Sequence, residues 1–149
     1  MPLKIVQFLA LTLTALALVP SGAHLFALPT TINLVAEQYF IVQNIYRGWS
    51  LFGVVLIGAL VANLALALLL RGRGAPFLLA LFAFLCIALT LVVFFIWTYA
   101  ANQATNNWMM IPDNWEQLRR EWEYSHAANA VVTFAALCSL TLSVLTTRE

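Results

Sequence analysis

His24 and His126 are the only imidazoles in the chain, and the second stands in the stretch REWEYSHAAN (residues 120–129), three positions after Glu123. Residues three apart on a helix project to one side, roughly 60° apart around the axis, so Glu123 and His126 share a face. Asn129 and Thr133 continue that polar line toward the C-terminus. Imidazole can ligate a haem iron axially, bind a transition metal, or act as a general base. Helical bundles build di-iron sites from two Glu-x-x-His motifs on facing helices. Here there is one such motif, so a full di-iron centre is not expected.

Four readings stay open. His24 and His126 can hold a haem between them. Both can bind a transition metal with Glu123, helped by Glu37 or Glu121. Without metal, His126 can act as base, with His24 beside it and Glu123 or a tyrosine orienting it. Finally, Glu123 can pair with Arg119 while the histidines bond to neighbouring helices, and nothing is catalysed. Trp122, Tyr124, Asn129, Arg47 and Trp49 stand close enough in sequence to line a substrate pocket around the histidines. Arg47 reads equally as an interface anchor or as a cation for an anionic or quinone-like substrate.

The elements that must position these groups follow from composition. The chain has 149 residues, of which 63% are hydrophobic and 9% charged. Soluble domains carry about 25% charged residues, so the class is membrane-embedded. Four long runs lack charge, giving spans at about 5–28, 48–70, 76–101 and 125–147, joined on one side by connections 29–47 and 102–124. Each span meets the requirement of about 20 residues to cross the hydrocarbon layer. Backbone groups in lipid must pair within their own segment, so each run is expected to be helical. The fold class is therefore all-α, one four-helix transmembrane domain over 1–149.

The first run also has the outline of a secretory leader, with Lys4 before an apolar stretch and Pro20-Ser21-Gly22-Ala23 as a small-residue site. Its uncharged stretch continues past Ala23 to Leu28, and retention as a span is the expectation. Lys4, Arg71, Arg73 and Arg148 fall on the side of the termini, against Glu149 alone. The opposite side holds Arg47, Arg119 and Arg120 among five acidic residues: Glu37, Asp113, Glu116, Glu121 and Glu123. Excess Lys and Arg mark the cytoplasmic face. Both termini are thus expected in the cytoplasm of a bacterial cell, with the two long connections outside its inner membrane. Cys86 and Cys138 fall inside spans and far apart, as small packing residues rather than a thiol–disulfide pair.

Both connections carry helix signals. Asp113 followed by Glu116 resembles a capped start, and no Gly or Pro interrupts the chain from there to Thr147. The fourth helix should therefore stand above the membrane, supported by i,i+4 pairs Glu116–Arg120 and Arg119–Glu123. Pro29 is expected to end the first span. The stretch LVAEQYFIVQNIYRGW should form a further helix, lying at the interface or extending the second span. Every Trp and Tyr falls on this outer side, as an interfacial belt would require. Asn63 within the second span and the Gly58/Ala62 pair are expected to serve helix packing.

The stretches AHLFALPTTINL, YFIVQNIYRGW and NWEQLRREWEYSHAANAVVTF, with Trp115, Arg119 and Trp122 in a Trp-x(3)-Arg-x-x-Trp pattern, resemble the anthrone-oxygenase-like family of small four-helix bacterial membrane proteins. The resemblance covers most of the chain. It implies a membrane-embedded oxidoreductase that acts on a flat hydrophobic aromatic without an evident cofactor. From the residues, the expectation is an oxidoreductase or ligand-binding protein for an aromatic or quinone-like molecule, with its pocket near the outer leaflet. The alternative is a non-catalytic subunit of a larger membrane complex or a homo-oligomer. No basic stripe exists for a nucleic-acid partner.

Overall fold

A computed structural model describes residues 2–147; Arg148 and Glu149, both used in the orientation argument, lie outside the described residues. Six α-helices follow in order: α1 (Pro2–Thr31), α2 (Ala36–Val42), α3 (Phe52–Leu69), α4 (Ala75–Val93), α5 (Tyr99–Ala104) and α6 (Trp115–Thr146). A π-helical turn, Phe94–Thr98, joins α4 to α5 without a break, so four helical stretches are long and apolar enough to cross a membrane. The protein is an all-helical, four-helix bundle of multi-pass membrane type.

α6 packs on α1 and α4, and α3 packs on α1 and α4, which closes the bundle. Small residues line the lower core, where Ala10, Ala59, Ala80, Ala83 and Ala136 are fully buried. Lipid tails are as apolar as leucine, so helices in a bilayer gain by close approach and by polar contacts rather than by hiding apolar faces. Gly58 serves that approach, since a Cβ there would stand 3.4 Å from Leu13 Cδ1. Polar side chains bind across the same seams. Asn63 Nδ2 donates to Thr14 Oγ1 at 2.9 Å, Ser139 to Leu79 O at 2.9 Å, and Ser143 to Pro76 O at 2.7 Å. Cys86 is buried and Cys138 exposed, both as free thiols.

Several elements differ from the sequence expectation. α1 runs past Pro29 to Thr31. Proline removes one N–H and strains the preceding turn, but this is the last turn of the helix, and Asn33 Nδ2 caps its end by donating to Pro29 O at 3.1 Å. The connection after α1 does not extend the second span. It folds as α2 and two 3₁₀ turns, Gln43–Tyr46 and Trp49–Leu51, interrupted at Gly48, whose φ of 90° ends any continuous helix. The extension beyond the span falls instead to the third span, through α5, and to α6. At about 1.5 Å per residue, the 32 residues of α6 exceed the hydrocarbon thickness. Its start is at Trp115, with Asn114 rather than Asp113 at the cap position and no side-chain cap bond.

Candidate functional site

The half of the bundle opposite the chain termini holds two adjoining clusters. In the first, α1 and α6 bring the two histidines together, with ring centroids 4.1 Å apart and planes tilted by 32°. The rings of Trp122, Tyr46 and Trp49 surround His24 at 4.7, 4.2 and 5.7 Å. Trp122 also meets His126 edge-on at 4.4 Å. His24 is buried, and its Nδ1 has no hydrogen-bond partner within the protein.

The histidines form part of the wall of a cavity of about 780 Å³. Aromatic and aliphatic side chains of α3 and the π-helical turn, such as Phe52, Leu56 and Phe94, make its apolar walls. Gln43, Arg47, Trp49 and Asn129 contribute from the connection and from α6. Pockets for small organic ligands run to about 300–1,000 Å³ and combine apolar walls with a few placed polar groups. A π-helical turn inside an α-helix recurs at functional sites, and this one adds Phe94, Phe95 and Thr98 to the wall.

The second cluster lies under α2. Glu123 is 1% exposed, and its carboxylate has Thr31, the Tyr39 hydroxyl and Arg119 as neighbours. It faces away from the imidazoles toward α1 and α2, although it sits only three residues from His126. Arg119 does not pair with it. Arg119 Nη1 donates to Leu34 O at 2.6 Å, and its guanidinium covers the rings of Trp115 and Tyr39 at 4.6 and 5.5 Å. Burial raises the Tyr39 phenol above its ordinary value, and the Glu123 charge pushes the same way. Tyr46 is raised by the same two causes.

Trp122 separates the clusters and is held from behind. Asn102 Oδ1 accepts from Trp122 Nε1 at 2.9 Å and from Trp108 Nε1 at 3.0 Å. Trp108 arrives through Asn106, Asn107 and Trp108 itself, at φ of 49°, 54° and 63°. Three successive residues in the left-handed region are costly, least so for asparagine. The Thr105 hydroxyl, which accepts from Trp108 N at 3.0 Å, helps to hold that turn.

Of the residues singled out in sequence, the fold brings His24, His126, Asn129, Arg47 and Trp49 to the cavity and Trp122 against the histidines. Tyr124 is 57% exposed and points away, so it lines nothing. Like Trp97 and Tyr99, it stands exposed on the outside of the bundle. Glu37 is exposed, and Glu121 accepts from Gln117 Nε2 at 2.8 Å on the solvent side. Among the described residues no three His, Cys, Asp or Glu side chains stand close enough to share a metal ion. A haem does not fit between the imidazoles either. With metal–nitrogen bonds of about 2 Å, axial ligands would hold their ring centroids on the order of 6 Å apart, whereas here they lie 4.1 Å apart.

Comparison with protein-family models, curated proteins and solved structures finds no match. The site therefore rests on its own geometry.

Gln43 escaped the sequence reading. It is buried in the cavity wall, its Nε2 without a protein partner. Its signal was the spacing Tyr39, Gln43, Tyr46, an i, i+4, i+7 stripe whose three members all turn inward.

Proposed function

We propose that this protein is a membrane-embedded oxidoreductase or binding protein for a flat, apolar aromatic or quinone-like molecule, held against the His24–His126 pair at the outer side of a bacterial inner membrane. The observation that carries the reading is an aromatic-walled cavity of about 780 Å³ with two imidazoles in contact in its wall. Apolar walls favour a lipid-soluble ring system, and edge-on or offset aromatic contacts orient it. His126 is the base of the pair, removing a proton from an acidic C–H or O–H of the ligand. His24 and Trp122 hold its ring in place.

The resemblance to anthrone-oxygenase-like proteins supports the next step. A deprotonated ring carbon reacts with dioxygen, the CH₂ becomes C=O, one oxygen atom enters the product and the other leaves as water. No cofactor is required for that balance. The Lys and Arg distribution supports placing both termini on the cytoplasmic side and the cavity on the outer side.

The test uses the protein in nanodiscs. Quenching of tryptophan emission by 1,4-naphthoquinone is expected to saturate, because Trp49 lines the cavity and Trp122 touches both histidines. His126→Ala should abolish oxygen uptake with an anthrone while leaving quenching within a few fold. A linear, non-saturating response in the wild-type protein would refute the cavity as a binding site.

A second reading, as an accessory subunit, has one observation in its favour. An apolar groove lined by Val6, Leu13, Gly58 and Ala62 lies between α1 and α3 and is large enough for a neighbouring side-chain ridge. Light scattering of the purified protein separates a monomer from an oligomer.

A further inference from the structure

The cavity continues well past the histidines toward the end of the bundle that holds the termini. Ala17 and His24 both line it from α1, and Thr133 and His126 both line it from α6. Each pair spans about two helical turns, so the wall runs roughly 10 Å along the bundle. Its two ends differ in chemistry. Asn44, Arg47 and Asn107 stand exposed at the end formed by the connections. At the other end Ala17, Leu56 and Leu91 are apolar. The hydroxyls of Ser21 and Thr90 there are spent on their own helices, donating to Leu18 O at 3.3 Å and Ile87 O at 2.7 Å.

The apolar end also reaches the flank of the bundle. Gly53 and Ile57 stand one turn apart on α3. Leu91 and Phe95 stand one turn apart on α4 and the π-helical turn that continues it. All four line the cavity, yet Gly53 is exposed, Ile57 is 49% exposed and Phe95 is 60% exposed. α3 packs on α4, so the two pairs border an opening between neighbouring helices. A Cβ added to Gly53 would meet nothing within 4 Å. Both helical stretches are long and apolar enough to cross a membrane, so in a bilayer this opening faces lipid tails.

We infer that the ligand is a ring system bearing a linear apolar tail, an isoprenoid or acyl chain, which leaves the cavity between Gly53/Ile57 and Leu91/Phe95 and runs into the bilayer. The inference rests on the cavity being a binding site for a planar apolar molecule, and it adds the shape of that molecule. The ring lies against His24 and His126 with its polar edge toward the connections, so its opposite edge faces the opening. A tail gains little affinity there, because lipid solvates it as well as protein does. The opening acts by admitting the tail. A closed wall would drive the same chain into packed side chains, and overpacking is costly.

The experiment titrates tryptophan emission in nanodiscs with 2-methyl-1,4-naphthoquinone and its 3-geranyl derivative, each corrected for its partition into lipid. In the wild-type protein both should saturate, with dissociation constants within about threefold of each other. Gly53→Phe and Ile57→Phe narrow the opening without adding an indole. Each should weaken the geranyl quinone by about tenfold or more, the scale of overpacking, and leave the tailless quinone nearly unchanged, which reports that the cavity still folds. Val54→Phe is the control and should change neither, since Val54 is 75% exposed and stands outside the cavity wall. A geranyl quinone excluded from the wild-type protein would mean a closed cavity, or an opening held by an acyl chain of the bilayer. Equal effects of both narrowing variants on the two quinones, or no effect on either, would mean that the tail does not pass there. Each of these results refutes the tail while the cavity reading stands. If neither quinone binds the wild-type protein saturably, both fall.

Discussion

Replacing Asn102 with leucine tests how the site is held together. One carboxamide oxygen accepts from two indoles, Trp122 Nε1 at 2.9 Å and Trp108 Nε1 at 3.0 Å. Those tryptophans are 4% and 7% exposed. Leucine keeps the volume and removes the acceptor, leaving two buried N–H donors unmet. Each costs about 1–3 kcal/mol, so the variant should lose roughly 3 kcal/mol once partial relaxation toward the cavity is allowed for. For a chain of this size about 2–4 °C of Tm accompanies each kcal/mol, giving a drop of about 6–12 °C. Thermal unfolding followed by circular dichroism in detergent measures it. The decisive comparison is a Trp108→Phe/Trp122→Phe background, which keeps ring packing but has no indole N–H. There Asn102→Leu should cost less than about 1 kcal/mol, because coupled partners are non-additive. An equal cost in both backgrounds would show that Asn102 acts through something other than the two indoles.

Two further outcomes follow from the cluster beneath α2. Arg119→Met should free α2 and the turn after it, because the charged bond to Leu34 O and the cation over Tyr39 and Trp115 are both lost. A loss of about 1.5–3 kcal/mol is expected, read as faster amide hydrogen exchange over residues 34–46 with α3 unchanged. Stability should also fall at high pH. Tyr39 and Tyr46 hold their protons more tightly when folded than when unfolded. Their contribution is therefore complete below the ordinary tyrosine value of about 10 and declines as pH rises above it. Denaturation midpoints measured from pH 8 to pH 11 should drop in the last part of that range, and Tyr39→Phe should blunt the drop.

Much of the bundle was legible from residue types. Four uncharged runs gave four long helices because the bilayer leaves the backbone no other way to pair. The pairing of His24 with His126 was legible in part, since His24 stands four residues before the end of the first predicted span and His126 one residue into the fourth, at the same end of the bundle. The direction of Glu123 was not. A 60° offset on α6 sends its carboxylate under α2 while His126 faces the cavity, and only the position of α2 decides which neighbour each one meets. Tyr124 misled for the same reason: adjacency in sequence to Trp122 and Glu123 puts it about 100° further round the helix, on the outer surface. Gly48 shows a different limit. Its left-handed φ rules out one of the two expected courses, an extension of the second span, and leaves Arg47 and Trp49 in the cavity wall.

Residue types alone determined the membrane class, the number of crossings and the concentration of aromatic and acidic groups at one end of the bundle. Those properties depend on the cost of charge and of unpaired backbone in hydrocarbon, which each segment meets by itself. Which face of each helix turns inward was decided only by tertiary packing. In water an apolar stripe announces its buried side, but helices in lipid are apolar all round, and tails solvate leucine as well as a neighbouring helix does. Contacts between distant elements carry that information instead: Asn102 with Trp122, Arg119 with Leu34, and one imidazole with the other.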